Sequence, residues 1–255
     1  MKSALQIFAA TALLAAGLSA CGSPANTSAA ATATASPSAT STPAAALSPK
    51  ATPTPTAAPI KKYTSAELTA LVGQLRDAGG KKLSVMSSAD LSGSVEQSKG
   101  MMASAAVEPA VCRELAVAGS APSVAGAAAA MGTSVDAATG GTTAIALTSG
   151  LDAAFLKKSF AQAAELKKCA NMSMTVSGVR VSVTVTQLSG IGSVPGTVAY
   201  RTDTGLPDGR TQSMVTTQAV KRGVLITVLA IGGASEAEAS SRAGKLLDSA
   251  AALVK

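Results

Sequence analysis

Residues 171–185 read NMSMTVSGVRVSVTV, and the phase of the apolar side chains in this stretch decides the fold. Met172, Met174 and Val176 alternate with polar residues, and Val179, Val181, Val183 and Val185 do the same on the opposite parity. A period of two belongs to a strand, whose successive side chains point to opposite faces. One strand cannot change parity, but two strands joined by a two-residue turn do, and Ser177-Gly178 stands at the break. The stretch predicts a β-hairpin.

Working outward, further strands are expected at 196–201, 212–220 and 223–231, with 202–210 (TDTGLPDGR) as a turn-rich hairpin loop. Residues 142–148 (TTAIALT) read as another strand and 81–86 as a short one. Thr64-Ser65-Ala66-Glu67 is a capping-box pattern. Leu68, Leu71, Val72 and Leu75 follow it at helical spacing, with Gly79-Gly80 as the expected stop. Glu108-Pro109 is expected to open a second helix through Cys112 to Val117. Asp152 is expected to cap a helix running to about Lys168. Phe155, Leu156, Phe160, Ala163, Ala164 and Leu166 form its buried side, while Lys157, Lys158, Lys167 and Lys168 form its solvated side. A last helix spans 235–254, with Leu246, Leu247 and Leu253 inward, and the Ala-, Gly- and Ser-rich stretch 119–141 receives no assignment. Consecutive strands with short connections argue for an α+β domain over 61–255, an antiparallel β-sheet with helices packed on it.

The N-terminal quarter has a different character. Lys2 precedes an uncharged, largely apolar run that ends in Leu18-Ser19-Ala20-Cys21. The run is short for a membrane span and fits the core of a signal peptide, residues 1–20. It resembles a bacterial lipoprotein signal. The resemblance implies cleavage before Cys21, acylation of the Cys21 thiol and anchoring to the lipid bilayer at the extracytoplasmic face of the cell membrane. From 22 to 60 the chain is almost entirely Ala, Ser, Thr and Pro, with seven of its eleven prolines and the single charge Lys50. Such a stretch lacks the large apolar residues that offset chain entropy, so residues 21–60 are expected to be a lipidated cysteine and a disordered tether.

The composition sets limits on the chemistry. The 255 residues include no His and no Trp, and only 2% are aromatic. Histidine-dependent triads, His-bearing zinc sites and His-ligated haem are excluded, and an aromatic platform for single-stranded nucleic acid is not expected. With Cys21 assigned to lipid, Cys112 and Cys169 remain as a pair in an exported, disulfide-permissive compartment. A bridge between them is the expected reading; two buried free thiols or a redox pair are the alternatives, and neither cysteine lies in a C-x-x-C.

Glu108-Pro109-Ala110-Val111-Cys112, Leu166-Lys167-Lys168-Cys169, the run of antiparallel strands with 222–228 (RGVLITV) as a late one, and the terminal amphipathic helix together form a layout. It resembles the extracellular sensor-type domain of actinobacterial lipoproteins and PknH-like receptor kinases. The resemblance implies a sheet with helices on it and a ligand-binding cleft. Members usually carry Trp and often a second disulfide, which this chain lacks, so only Cys112 and Cys169 are carried over, as a pair.

No catalytic, cofactor-binding or metal-binding residue is assigned, and the ligand-binding residues are unknown at this stage. Asp203-Thr204-Gly205 matches the tripeptide of aspartic proteases but lacks the preceding apolar strand and a second copy, so it reads as a turn. Asp203 and Asp208 lack the spacing of a calcium loop. Residues 190–196 (GIGSVPG) lack the ending of a phosphate loop and lead into a strand. The net charge of +7 is spread in pairs at 61–62, 81–82, 157–158, 167–168 and 221–222, which suit a solvated surface or attraction to anionic wall polymers and headgroups. The expected function is non-catalytic binding or sensing of an envelope ligand, lipid or partner protein, with no nucleic-acid partner. Carriage of an apolar molecule and a His-free enzyme are the alternatives.

Overall fold

The computed structural model describes residues 61–113, 116 and 126–255; the predicted signal peptide and tether lie outside the described residues. The hairpin that set the fold is present as β5 (Asn171–Val176) and β6 (Val179–Leu188). Val176 pairs with Val179, and Ser177 and Gly178 turn the chain at φ 52° and 80°. Both angles are left-handed, as the tight turn matching strand twist requires. The meander continues through β7 (Val198–Gly205), β8 (Thr211–Lys221) and β9 (Val224–Ile231). β9 then pairs with β4 (Thr142–Ser149), followed by β3 (Ala128–Val135) and β1 (Ser84–Val85), while β2 (Ala106–Glu108) closes the other edge against β5. The sheet order is β1-β3-β4-β9-β8-β7-β6-β5-β2, antiparallel throughout.

Two helices, α1 (Ser65–Gln74) and α4 (Glu236–Leu253), cover the centre of one face. Leu68 and Val72 of α1 and Ala243, Leu246, Leu247 and Ala250 of α4 pack with Ile145, Leu147, Val215, Ile226 and Val228 in one core cluster. The small residues bring helix and sheet close together. At Gly132 of β3 the same closeness is absolute, because a Cβ there would lie 2.5 Å from Val72 Cγ1. The chain is also tied where the domain begins. Tyr63 donates its amide to Ser149 Oγ (3.0 Å) and its hydroxyl to the Lys255 carbonyl (2.7 Å), and accepts the Lys255 N–H (3.0 Å). The described residues belong to one compact unit, whose main core runs from Tyr63 at its start to Val254 at its end.

The opposite face carries a smaller cluster at the β5–β2 edge. Val107, Cys112 and Cys169 are buried there, with Ala116, Met172 and Met174 packed against them. Cys112 and Cys169, 57 residues apart, form a disulfide with Cα atoms 5.7 Å apart. It fastens the short 3₁₀ turn after β2 to the one after α3 (Ala153–Glu165).

Several local expectations are corrected. α1 ends at Gln74, before Gly79-Gly80, because Asp77 Oδ1 accepts the N–H groups of Gly79 (3.0 Å) and Lys81 (2.8 Å) and folds the chain back locally. Glu108 ends β2, and the helical stretch expected after Pro109 begins as a 3₁₀ turn over Ala110–Cys112 and is α-helical at Arg113 and Ala116, while Val117 lies outside the described residues. The unassigned stretch holds β3, and an unforeseen helix, α2 (Ser88–Ala103), is capped by Ser87 but has no apolar stripe to announce it. The helix after Asp152, whose carboxylate accepts the Phe155 N–H, tightens into a 3₁₀ turn at Leu166–Cys169. Its Phe155, Leu156 and Phe160 are half-buried, not core, and the side chains of Ala163 and Ala164 lie outside the described residues.

Two stability predictions follow from this packing. Replacing Cys112 and Cys169 together with Ala is expected to lower unfolding free energy by about 4 kcal/mol, by the loop-entropy estimate for this separation, with near-native far-UV circular dichroism. Leu247→Ala, which opens the centre of the main core, is expected to cost about 2–5 kcal/mol in denaturant titration.

Candidate functional site

The two sheet faces are unequally covered. Ile145 and Leu147 point to α1 and α4, so their neighbours of opposite parity point away. Register then runs one row across this second face: Ala144, Leu229, Thr216, Tyr200 and Gln187. A flanking row holds Thr142, Ile231, Met214, Thr202 and Val185. Where the first face holds Val228 and Ile226 at 0% exposure, the second leaves Met131, Tyr200, Met214, Gln218, Leu229 and Ile231 half-buried. Polar and apolar side chains are mixed along it, and burial pushes the Tyr200 hydroxyl pKa up, partly offset by a hydrogen bond with Thr216. Thr216, opposite Tyr200 in register, is 2% exposed.

The connection from β4 to β5 must pass the four intervening strands, about 24 Å at the usual strand spacing. It contains α3 and ends on the second face at Cys169. None of the described α3 side chains is fully buried. The second face is thus a broad amphipathic floor, edged at the β5–β2 side by the disulfide.

Two polar clefts lie at the end of the sheet where β9 leads into α4. One, of about 430 Å³, is lined by Asp77, Lys81, Asp136, Thr143, Glu238 and Arg242, among others. Arg242 is buried on the sheet side of α4; it donates to Thr143 Oγ1 (2.7 Å) and the Gly232 carbonyl (2.6 Å), and its Nε lies 2.6 Å from Glu238 Oε1. Gly141 leaves room for the guanidinium, since a Cβ there would come within 2.9 Å of it. The other cleft, about 310 Å³, is lined by Arg201, Ser213, Gly233 and Glu236. Arg201 pairs with both Asp203 and Glu236.

Two carboxylates at these clefts, Asp203 and Asp136, are held in the ionised form. Burial pushes Asp203 up, but hydrogen bonds from Arg201 and Ser213 outweigh it and hold the carboxyl below the usual range. The Ala138 N–H and the Thr139 hydroxyl do the same for Asp136. A general acid near neutral pH needs the opposite shift. Among the described residues no three His, Cys, Asp or Glu side chains converge to hold a metal.

The expected site residues fall in separate places. Cys21 is outside the described residues, and Cys112 and Cys169 serve the second-face cluster. Asp203-Thr204-Gly205 is the end of β7, not a loop; Thr202 and Thr204 continue the ladder opposite Met214 and Gln212, and the turn is confined to Leu206–Arg210. Asp208 is paired with Arg210 in that turn. The glycine-rich stretch 190–196 packs on α4, with the Ser193 N–H taken by Asp248 (2.7 Å). Sequence reasoning missed the Glu238–Arg242 pair, although its i,i+4 spacing was visible.

No family model and no curated protein matches the chain. Among solved structures, it is similar to the extracellular domain of PknH from Mycobacterium tuberculosis, at 14% identity and a TM-score of 0.46, covering 76% of this chain and 98% of that one. It is also similar to an uncharacterised protein from Mycobacterium smegmatis, the Rv0999 ortholog, at 18% identity and a TM-score of 0.38, covering 59% of this chain and 76% of that one.

The Asp203 contacts carry a pH prediction. A carboxyl whose folded pKa is depressed adds stability above its unfolded value, about 3.9, and loses it as pH falls through the lower folded value. Asp203→Asn is therefore expected to cost about 1–2 kcal/mol at pH 7 and to flatten the loss of stability below about pH 4, measured by urea titration across that range.

Proposed function

We propose that this chain is a membrane-anchored surface lipoprotein whose domain at 61–255 binds an envelope ligand or partner on the second sheet face without catalysing a reaction. The observation that carries this reading is the unequal burial of the two faces. A sheet face of mixed Tyr, Gln, Thr, Met and Leu side chains, with Tyr200, Met214, Gln218 and Leu229 half-buried, offers apolar area together with hydrogen-bonding groups. Those are the elements of a binding site. The depressed carboxyl pKa values of Asp136 and Asp203 favour binding over acid–base catalysis. The mixture of polar and apolar residues favours an amphipathic ligand over a purely apolar cargo. The anchor rests on the Leu18-Ser19-Ala20-Cys21 signal, and it puts the domain outside the cytoplasm.

Native mass spectrometry on residues 61–255 from an exporting host tests the binding reading. A discrete mass that is present on the folded protein, absent after denaturation and lost from a folded Leu229→Lys, Met214→Lys double variant is the expected result. A clean apo mass, together with partner capture unchanged in that variant, would contradict it. The anchor has its own test: labelled palmitate is expected on the full chain and absent from Cys21→Ser, and label retained in that variant would overturn the assignment.

A further inference from the structure

The acids Asp77, Asp136, Asp203, Glu236 and Glu238 lie at the end of the sheet bearing the polar clefts, interleaved with Lys81, Arg201 and Arg242, and the two arginines pair with three of them. The opposite end is where residue 61 enters the domain. Tyr63 binds Ser149 and Lys255 there, Ser149 is in register with Val224, and Val224 is in register with Lys221. This chain of contacts gathers Lys62, Lys221, Arg222 and Lys255 at one end, and among the described residues none of the four is in an ion pair. The acids nearby are Glu67, which is paired with Lys61, and Asp152 and Asp248, which each accept a backbone N–H and keep their charge, so the four cations outnumber the unpaired acidic side chains by two. Arg222 occupies the first position of the β8–β9 turn at φ 46°, where Gly or Asn is the less strained choice, so that turn presents a cation at its tip.

We infer that this basic end docks on the anionic phospholipid surface to which the tether leads. The inference rests on the Cys21 anchor. A tether that enters at the basic end holds these cations near the headgroups at a high effective concentration, so a patch too weak to bind from free solution is sufficient. Each basic residue close to an anionic bilayer contributes about a fivefold factor, and salt screens it. Docking by this end turns the clefted end outward and sets the sheet upright on the membrane.

The test couples residues 21–255, with the internal disulfide intact, through Cys21 to maleimide-headgroup lipid in a supported bilayer. This supplies the anchor chemically, so failure of acylation in the cell and failure of docking are separate results. Neutron reflectometry is expected to place the protein layer against a phosphatidylglycerol-containing bilayer at low salt. The layer should move outward by on the order of 10 Å or more, within the reach of a linker of this length, in 0.5 M salt, on pure phosphatidylcholine, or with Lys62→Glu, Lys221→Glu and Arg222→Glu together. A Lys157→Glu, Lys158→Glu control should stay docked. Equal layer positions on both bilayers, a triple variant that stays docked, or retention only on an anionic polysaccharide would overturn the inference.

Discussion

The packing of α4 on β8 and β9 is the constraint on which the rest of the structure depends. Its sheet-facing side is built from Ala239, Ala243, Ala250 and Ala251 around Leu246 and Leu247, so helix and sheet approach closely and exclude water with little side-chain volume. Arg242 lies in the same interface, fixed by Thr143, the Gly232 carbonyl and Glu238. A buried guanidinium left without these partners would be strongly unfavourable, so the pair fixes where α4 sits along β4 and β9. Tyr63 then binds the start of the domain to Ser149 and Lys255, joining α1 and the end of α4 to one strand.

That economy has a consequence on the other side of the sheet. A nine-stranded sheet has two broad faces, and a chain with only 2% aromatic residues has few large side chains to cover both. The centre of the first face is fully packed. The second is closed at Ala144, Thr148, Thr216 and Leu225 and at its β5–β2 edge, where the Cys112–Cys169 disulfide substitutes covalent restraint for apolar volume. Between these positions Met131, Tyr200, Met214, Gln218, Leu229 and Ile231 stay half-buried, and this surface is where the binding function is proposed to reside.

The strands were legible in the sequence because alternation and turn chemistry are local properties. The parity change at Ser177-Gly178, the valine run of β6 and the capping box at Thr64–Glu67 all appear as read. The turn after β7 was drawn too wide, because Asp203 and Gly205 resemble turn residues but are held in the ladder by Ser213 and Thr211 across the pair. α2 was missed because its stability does not come from an apolar stripe, and β3 because a run of Ala, Gly and Ser has no period to read. The candidate site was the least legible part. Parity says which residues share a face, but only the tertiary arrangement says which face the helices cover.

The account stands on that asymmetry, and methionine oxidation tests it directly. Met131 and Met214 lie on the second face, and Met101 is exposed on α2. With dilute peroxide on the folded domain, read by peptide mass spectrometry, Met131 and Met214 should oxidise more slowly than Met101 but well before global unfolding, and should be shielded when ligand or partner is bound. If both resist oxidation until the domain unfolds, the second face is as closed as the first, and the binding surface proposed for it does not exist.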